Sequence, residues 1–463
     1  MAVRRTVLRL LVLLLVVGVT PVGAADFNFT VVPRVTLGLT ESGGICSWGE
    51  VLFNPDGSVV GGAANLCDGT TVPISGGQLT IDFGDRDVFG TIGGDDLSGQ
   101  LLPAGHAFIA ATTFNESVTG GFGLSVFVEP NGVKFGQADL TGVWRVNLLQ
   151  AGRFPATTEH AFGSLRVSAS GEFTGALKFS DSTTSTISGS LSITPDGTIV
   201  GFVPSGLTPE FTLPALNGVL ALMAPDKNFV GGIGLFGNVS ANKSGMFFLQ
   251  REPPTTVVYT PSDLAGTWQF VGMQGQTQDS GSGTWYLGSL TIGVNGSVIG
   301  GLVDAFGHEV AISSGHLTIT RQGVINGGVA LDTGDIVIHA TMFQDKRQII
   351  GVESTSGESA PAVGLFSMLK PPPSSAVGFR SRAYRVNEGD IAAIQVDRTG
   401  AVSTEVAVDY TATTTTAPTS AASPAATMER SPSAWSSGPT NRPSPSSSRS
   451  SRTTSPRTTR PSR

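Results

Sequence analysis

Five histidines, His106, His160, His308, His316 and His339, are the residues best suited to metal binding or proton transfer. They are scattered over separate segments, no pair has the His-x-x-x-His spacing, and none has a Cys partner. Neither a zinc site nor a Ser/His/Asp triad is therefore spelled out locally. His316 and His339 stand beside apolar strand residues and read as ordinary surface or core histidines. The run Asp82-Phe-Gly-Asp85-Arg-Asp87 spaces three carboxylates closely enough to fold round Ca²⁺. Asp and Gly are also what a turn between two strands takes, and that is the reading preferred here. Cys46 and Cys67 flank Trp48–Phe53 and Ser58–Ala63, which are joined by Asn54-Pro55-Asp56-Gly57. A hairpin on that turn brings the thiols opposite each other, so a structural Cys46–Cys67 disulfide is expected. With no phosphate-binding Gly loop and no carboxylate pair or nucleophile cluster, the expectation is a protein that is not an enzyme.

Composition narrows the elements that must carry these residues. The chain has 463 residues, 61 of them Gly, and only 14% are charged. Helical bundles need charged faces and little Gly, so an all-β chain is expected. The net charge is −7, and residues 1–25 contribute +3 and residues 411–463 contribute +6, leaving −16 on residues 26–410. An acidic body argues against nucleic acid as a partner.

Internal repeats decide the architecture. Asp139-Leu-Thr-Gly-Val-Trp144 recurs as Asp263-Leu-Ala-Gly-Thr-Trp268. Beyond each comes a Gly-punctuated hairpin: Gly163-Ser-Leu-Arg-Val to Gly175 in one, Gly288-Ser-Leu-Thr-Ile to Gly300 in the other. Gly49 to Gly61 fits the same template. A second hairpin follows at Gly189–Gly201 and Gly315–Gly327, with Gly77-Gln-Leu-Thr-Ile81 as a weaker counterpart. Leu165/Val167, Leu191/Ile193, Leu290/Ile292 and Leu317/Ile319 alternate with small or polar residues, the period of a strand with one buried face. Pro-Asp-Gly and Asn-Gly supply turns. About eight strands are expected in the second copy, the last three at Gly218–Met223, Phe229–Phe236 and Gly245–Gln250, and no helix is needed. A meander of this size removes its edges by closing, so three tandem antiparallel meanders or barrels are expected. Asp226-Lys227 and Asp345-Lys346 recur at matched places and imply a shared turn.

The ends of the chain differ from its body. Residues 1–25 read as a secretory signal peptide, with Arg4 and Arg5 ahead of an apolar run and Val22-Gly23-Ala24 for cleavage. Secretion or surface display follows, with no transmembrane span beyond that segment. From Thr411 onward Thr, Ser, Pro, Ala and Arg dominate, a composition that does not offset the entropy of ordering, so a disordered tail is expected. A frameshift close to Thr413 is the expected origin of that abrupt change.

Two segments resemble known families. Gly142-Val-Trp144 and Gly266-Thr-Trp268 resemble the first strand of lipocalin-like barrels, which implies a carrier of a small apolar ligand inside the repeats. After Pro371-Pro-Pro373, the string Tyr384-Arg-Val-Asn387-Glu388-Gly389, the strand ending near Arg398-Thr-Gly400, and Val406-Ala-Val408-Asp409-Tyr410 resemble the N-terminal half of a Calx-beta domain. That resemblance implies an immunoglobulin-like β-sandwich, truncated here, and Ca²⁺ as a cofactor. Of the family's calcium positions only Glu388 is matched, while Ca²⁺ takes 6–8 oxygens.

The expected organisation is signal peptide 1–25, β repeats 26–138, 139–260 and 261–370, a Pro-rich linker 371–375, the partial Calx-beta domain 376–410, and the tail 411–463. The expected role is Ca²⁺-linked adhesion or interaction, secreted or at the cell surface, with an extracellular protein or surface polysaccharide as partner. The lipocalin-like carrier is the alternative.

Overall fold

The computed structural model describes residues 29–371, apart from 41–42, 83–85, 115–120, 153–156, 203–217, 237–242, 278–282, 306–307, 333 and 357–360, together with 376–379 and 396–399. Two compact units are present, Met1–Pro372 and Pro373–Arg463. The signal segment, most of the linker, Glu388 with most of the Calx-beta-like stretch, and the tail lie outside the described residues.

The first unit is built of antiparallel strands in three bodies. In the first, β1 (Val31–Thr40), β2 (Gly43–Phe53), β3 (Val59–Leu66), β4 (Thr71–Pro73), β5 (Gly77–Asp82), β6 (Asp87–Ile92), β7 (Asp95–Leu101), β8 (Ala107–Phe114) and β9 (Gly121–Val128) form one sheet in the order β4-β3-β2-β1-β9-β8-β7-β6-β5. After a one-turn helix, α1 (Gln137–Leu140), eight strands close a barrel: β10 (Gly142–Gly152), β11 (Thr158–Val167), β12 (Glu172–Phe179), β13 (Thr184–Ile193), β14 (Thr198–Phe202), β15 (Val219–Met223), β16 (Phe229–Phe236) and β17 (Lys243–Arg251). A second such helix, α2 (Pro261–Leu264), precedes another closed barrel of β18 (Gly266–Gln276), β19 (Gly283–Ile292), β20 (Val298–Ala305), β21 (His308–Ile319), β22 (Val324–Leu331), β23 (Gly334–Met342), β24 (Gln348–Ser356) and β25 (Ala362–Leu369). In the second unit, β26 (Ala376–Phe379) pairs with β27 (Val396–Thr399).

The template glycines explain the closure. A Cβ on Gly49, Gly163 or Gly288 would lie 1.8, 2.0 or 2.1 Å from the carbonyl oxygen of Ala63, Ala176 or Leu302. At these points one strand bends onto its neighbour more closely than any side chain allows, and such kinks curl a sheet into a barrel. The first sheet does not close between β4 and β5. Its β4 is three residues long and ends at Pro73, which has no N–H to donate.

The first body is thus one of the expected meanders left open, and the other two have closed into barrels. One departure from the sequence reading stands out: the helices α1 and α2 are present, four residues each and too short to leave a 3.6-residue pattern. Each ends in the Leu that begins the Gly-x-Trp repeat, and each closes a barrel floor. Trp144 Nε1 donates to the Leu140 carbonyl at 2.7 Å and Trp268 Nε1 to that of Leu264 at 2.6 Å, both rings being fully buried. Arg251 lies 4.5 Å over the Trp144 ring and Lys370 4.9 Å over Trp268. The repeated Lys of the Asp-Lys pairs, Lys227 and Lys346, adopt φ of 59° and 58° and pair with Asp139 and Asp263 at 3.0 Å.

Strands fall into two kinds. Outward-facing β12, β20 and β21 alternate between buried and exposed positions, as a one-sided strand does. By contrast β9, β10, β17 and β25 are buried along nearly their whole length. Their outer faces and those of β1 and β18, with Val35, Leu37, Leu149, Met246, Val271 and Leu365, meet in one core shared by all three bodies. Burying each such side chain contributes about 1.5–3 kcal/mol. Cys46 and Cys67, disulfide-bonded with Cα atoms 5.3 Å apart, lie in this shared core.

Candidate functional site

The kink glycines put the three bodies in register. Gly49 pairs with Arg34, Gly163 with Val146 and Gly288 with Phe270. On the other side of the first strand, Arg34 pairs with Phe127, Val146 with Leu249 and Phe270 with Met368. Arg34, Val146 and Phe270 are thus equivalent and point inward, because their neighbours on the opposite face, such as Val35, belong to the shared core.

Two residues further on, Thr36 pairs with Ser47 and Ser125, Leu148 with Ala161 and Phe247, and Gly272 with Tyr286 and Phe366. One strand beyond, Thr112 pairs with Gly123, Gly234 with Gly245, and Glu353 with Gly364. The same inward ring is therefore polar in the first body, apolar in the second and mixed in the third.

In the second barrel the ring is filled by hydrocarbon. Val146, Leu148, Ala161 and Phe247 are all buried and pack with Trp144.

In the third barrel Tyr286 replaces Ala161, and its ring fills the place of the Leu148 side chain. A Cβ on Gly272 would meet Tyr286 Cζ and Oη at 2.4 Å. Glu353, 5% exposed, sits close enough to Tyr286 for each to perturb the other's protonation. Burial pushes the Glu353 carboxyl up to about 7, with the neighbouring Tyr286 hydroxyl acting in the opposite direction. Burial, reinforced by Glu353, also holds the Tyr286 hydroxyl well above the usual phenol range.

In the first body Arg34 is 7% exposed and its Nε has no hydrogen-bond partner. Burial depresses its proton affinity, and the attraction of Asp95, acting the other way, is the smaller effect. Next to it Thr36 Oγ1 and Ser125 Oγ are 2.8 Å apart, and Thr112 Oγ1 lies 3.2 Å from Ser125 Oγ. Beneath, Phe108 and Phe127 stack at 4.3 Å.

The histidines take up different positions. His106 Nδ1 lies 3.3 Å from Glu129 Oε2, with Asn131 donating to Nε2 at 2.9 Å. His308 and His316 are exposed. His160 and His339 meet where the two closed barrels touch: His160 Nε2 is 2.7 Å from Ser354 Oγ, and His339 stacks on Phe162 with centroids 3.5 Å apart. Desolvation lowers both to about 4, with the neighbouring positive groups adding to the effect at His339. Gln250 Nε2 donates across the same contact to the Met342 carbonyl at 2.6 Å. Among the described residues no group of three or more His, Cys, Asp or Glu converges as a metal site. Part of the Asp82–Asp87 run falls outside the described residues.

Sequence reasoning missed Arg34, Thr36, Tyr286 and Glu353. The available signal was the disagreement among the copies once Gly49, Gly163 and Gly288 are aligned.

No protein-family model matches the sequence, and no curated protein matches it. Among solved structures, the chain is similar to intact Ap-TbpB with its N and C lobes, at 11% identity over 74% of this chain and 77% of that one, TM-score 0.27. It is also similar to isotype 1 transferrin binding protein B from serogroup B Neisseria meningitidis, at 11% identity over 73% and 76%, TM-score 0.25. A protein of unknown function of the DUF3598 family from Nostoc punctiforme is 11% identical over 48% of this chain and 96% of its own, TM-score 0.20.

Proposed function

We propose that the protein is an exported, non-enzymatic interaction protein that displays its β bodies to an extracellular protein or surface polysaccharide. The observation that carries this reading is the core shared by three β bodies, which fixes them as one platform while the alternating strands keep one face in solvent. The second barrel supports contact from outside, because Trp144, Phe173, Leu177 and Phe247 occupy its interior. A solvent-exposed surface with few charges recognises partners through shape and hydrogen bonds.

The test is binding of the purified mature chain, coated on beads, to a panel of extracellular proteins and polysaccharides. Saturable binding that soluble chain competes away is expected. Binding that neither saturates nor competes overturns the reading.

The Calx-beta resemblance adds a Ca²⁺-linked role, with Glu388 supplying one oxygen. Calorimetric titration of the mature chain with Ca²⁺ tests it, and absence of heat at millimolar Ca²⁺ removes that role.

A further inference from the structure

The bodies touch one another in two ways. Against the first body, both closed barrels pack through glycine and apolar surfaces. A Cβ on Gly44 would meet that of Ala151 at 2.8 Å, and one on Gly283 would meet that of Leu39 at 2.7 Å. Between the two closed barrels runs a polar seam. Arg145 Nη2 donates to the Gln322 carbonyl at 2.8 Å, Gln250 Nε2 to the Met342 carbonyl at 2.6 Å, and Thr341 Oγ1 to Gln250 Oε1 at 2.5 Å.

Two histidines from opposite barrels lie in this seam. His160 on β11 is 6% exposed and His339 on β23 is half-buried. The Phe162 ring lies 6.3 Å from the first and 3.5 Å from the second. As neutral rings both are accommodated: His160 Nε2 meets Ser354 Oγ, and His339 Nδ1 meets Asn326 Oδ1 at 2.6 Å. A second proton on His160 finds no acceptor, because its Nδ1 is buried without a hydrogen-bond partner. The Phe162 face offsets part of a charge on His339. The charged groups acting on His339 are nevertheless all positive: His160, Lys178 from β12 and Arg145 from β10. Nearby carboxylates are engaged elsewhere. Glu159 is held by Lys243 and Gln150, Glu252 lies 3.5 Å from Arg145, and Glu353 faces the interior of its barrel.

We propose that the seam between the two closed barrels is an acid-released joint: charging His160 and His339 parts the barrels along it, while each stays folded and docked on the first body. The apolar contacts with the first body carry no proton and persist. Desolvation lowers both histidines to about 4, and the positive neighbours add to the effect at His339. Their contribution to the closed joint is therefore complete above pH 6.5 and is lost as the pH falls through 4. Each histidine shifts the balance toward the open joint by up to about 300-fold. The joint goes beyond the interaction role, which binding at neutral pH tests separately.

The experiment uses the full mature chain carrying Thr184→Cys in the second barrel and Ser313→Cys in the third, both exposed positions, labelled for energy transfer. Cys46 and Cys67 are disulfide-bonded, so only the introduced thiols take the label. Energy transfer is expected to change between about pH 5 and 3.5, to recover on neutralisation, and to leave the far-UV circular dichroism unchanged. His160→Gln, which takes no proton, should move that transition by at least one pH unit toward acid. His160→Lys, charged at neutral pH, should give the open signal at pH 7 with the strands intact. Energy transfer that holds steady down to pH 3.5 overturns the proposal. So does a change that coincides with loss of the strand signal, since the barrels then unfold rather than part, or a transition that His160→Gln leaves in place.

Discussion

The two closed barrels share a frame and differ in what they enclose. In the second, Leu148, Ala161 and Gly234 complete an apolar interior; in the third, the same places hold Gly272, Tyr286 and Glu353. The large residue has moved from one strand to its neighbour, and a carboxyl has entered where there was no side chain. Neither change disturbs the eight-strand closure or the Trp-and-helix floor. Closure is set by glycine kinks and turns, which leaves the interior free to diverge, provided the total volume is kept.

Breaking the common frame should have the largest effect. Val in place of Gly163 or Gly288 forces a side chain into a carbonyl oxygen, and each substitution should destabilise by more than about 4 kcal/mol in urea unfolding. Trp144→Ala and Trp268→Ala should each cost about 3–5 kcal/mol, with the two values within about 1 kcal/mol of each other because the floors are alike.

Chemistry that differs between the barrels should give smaller, pH-dependent effects. Glu353 is raised to about 7 by burial, so in the fold it stays protonated where an unfolded Glu is already ionised. Its contribution is fully present below pH 4.5 and is lost as the pH rises through 7, a change of about 3 kcal/mol. Glu353→Gln should remove that slope and stabilise the protein at pH 8. Denaturant midpoints between pH 4.5 and 8 measure it, and an unchanged slope would contradict the assignment.

His160 titrates in the opposite sense. Its proton affinity is lowered to about 4, so its contribution is present above pH 6.5 and is lost as the pH falls toward 4. His160→Gln should flatten the acid limb by about 3 kcal/mol. The smallest effect is expected from Lys227→Met, which removes a half-exposed ion pair worth less than about 1 kcal/mol.

Much of the fold was legible in the sequence because its devices are local. The Asn-Gly and Pro-Asp-Gly turns, the kink glycines and the recurring Gly-x-Trp each lie within a dozen residues. The interior chemistry was not legible, and β1 shows why. In Val35-Thr36-Leu37-Gly38-Leu39 the alternation marks Val35, Leu37 and Leu39 as the core side, which would send Arg34 and Thr36 into solvent. The strand is buried on both faces, so both sides are core, and only the packing of one body on another reveals it. Glu353 is hidden in the same way, between Val352 of the shared core and the barrel interior.

The most direct measurement is a double-mutant cycle at Gly272 and Tyr286, read by equilibrium urea unfolding. Gly272→Leu alone drives a side chain into the Tyr286 ring and should destabilise by several kcal/mol. Combined with Tyr286→Ala it recreates the arrangement of the second barrel, and most of that loss should be recovered, a coupling of about 2–3 kcal/mol. Simple additivity of the two substitutions would contradict a common frame with exchangeable interiors.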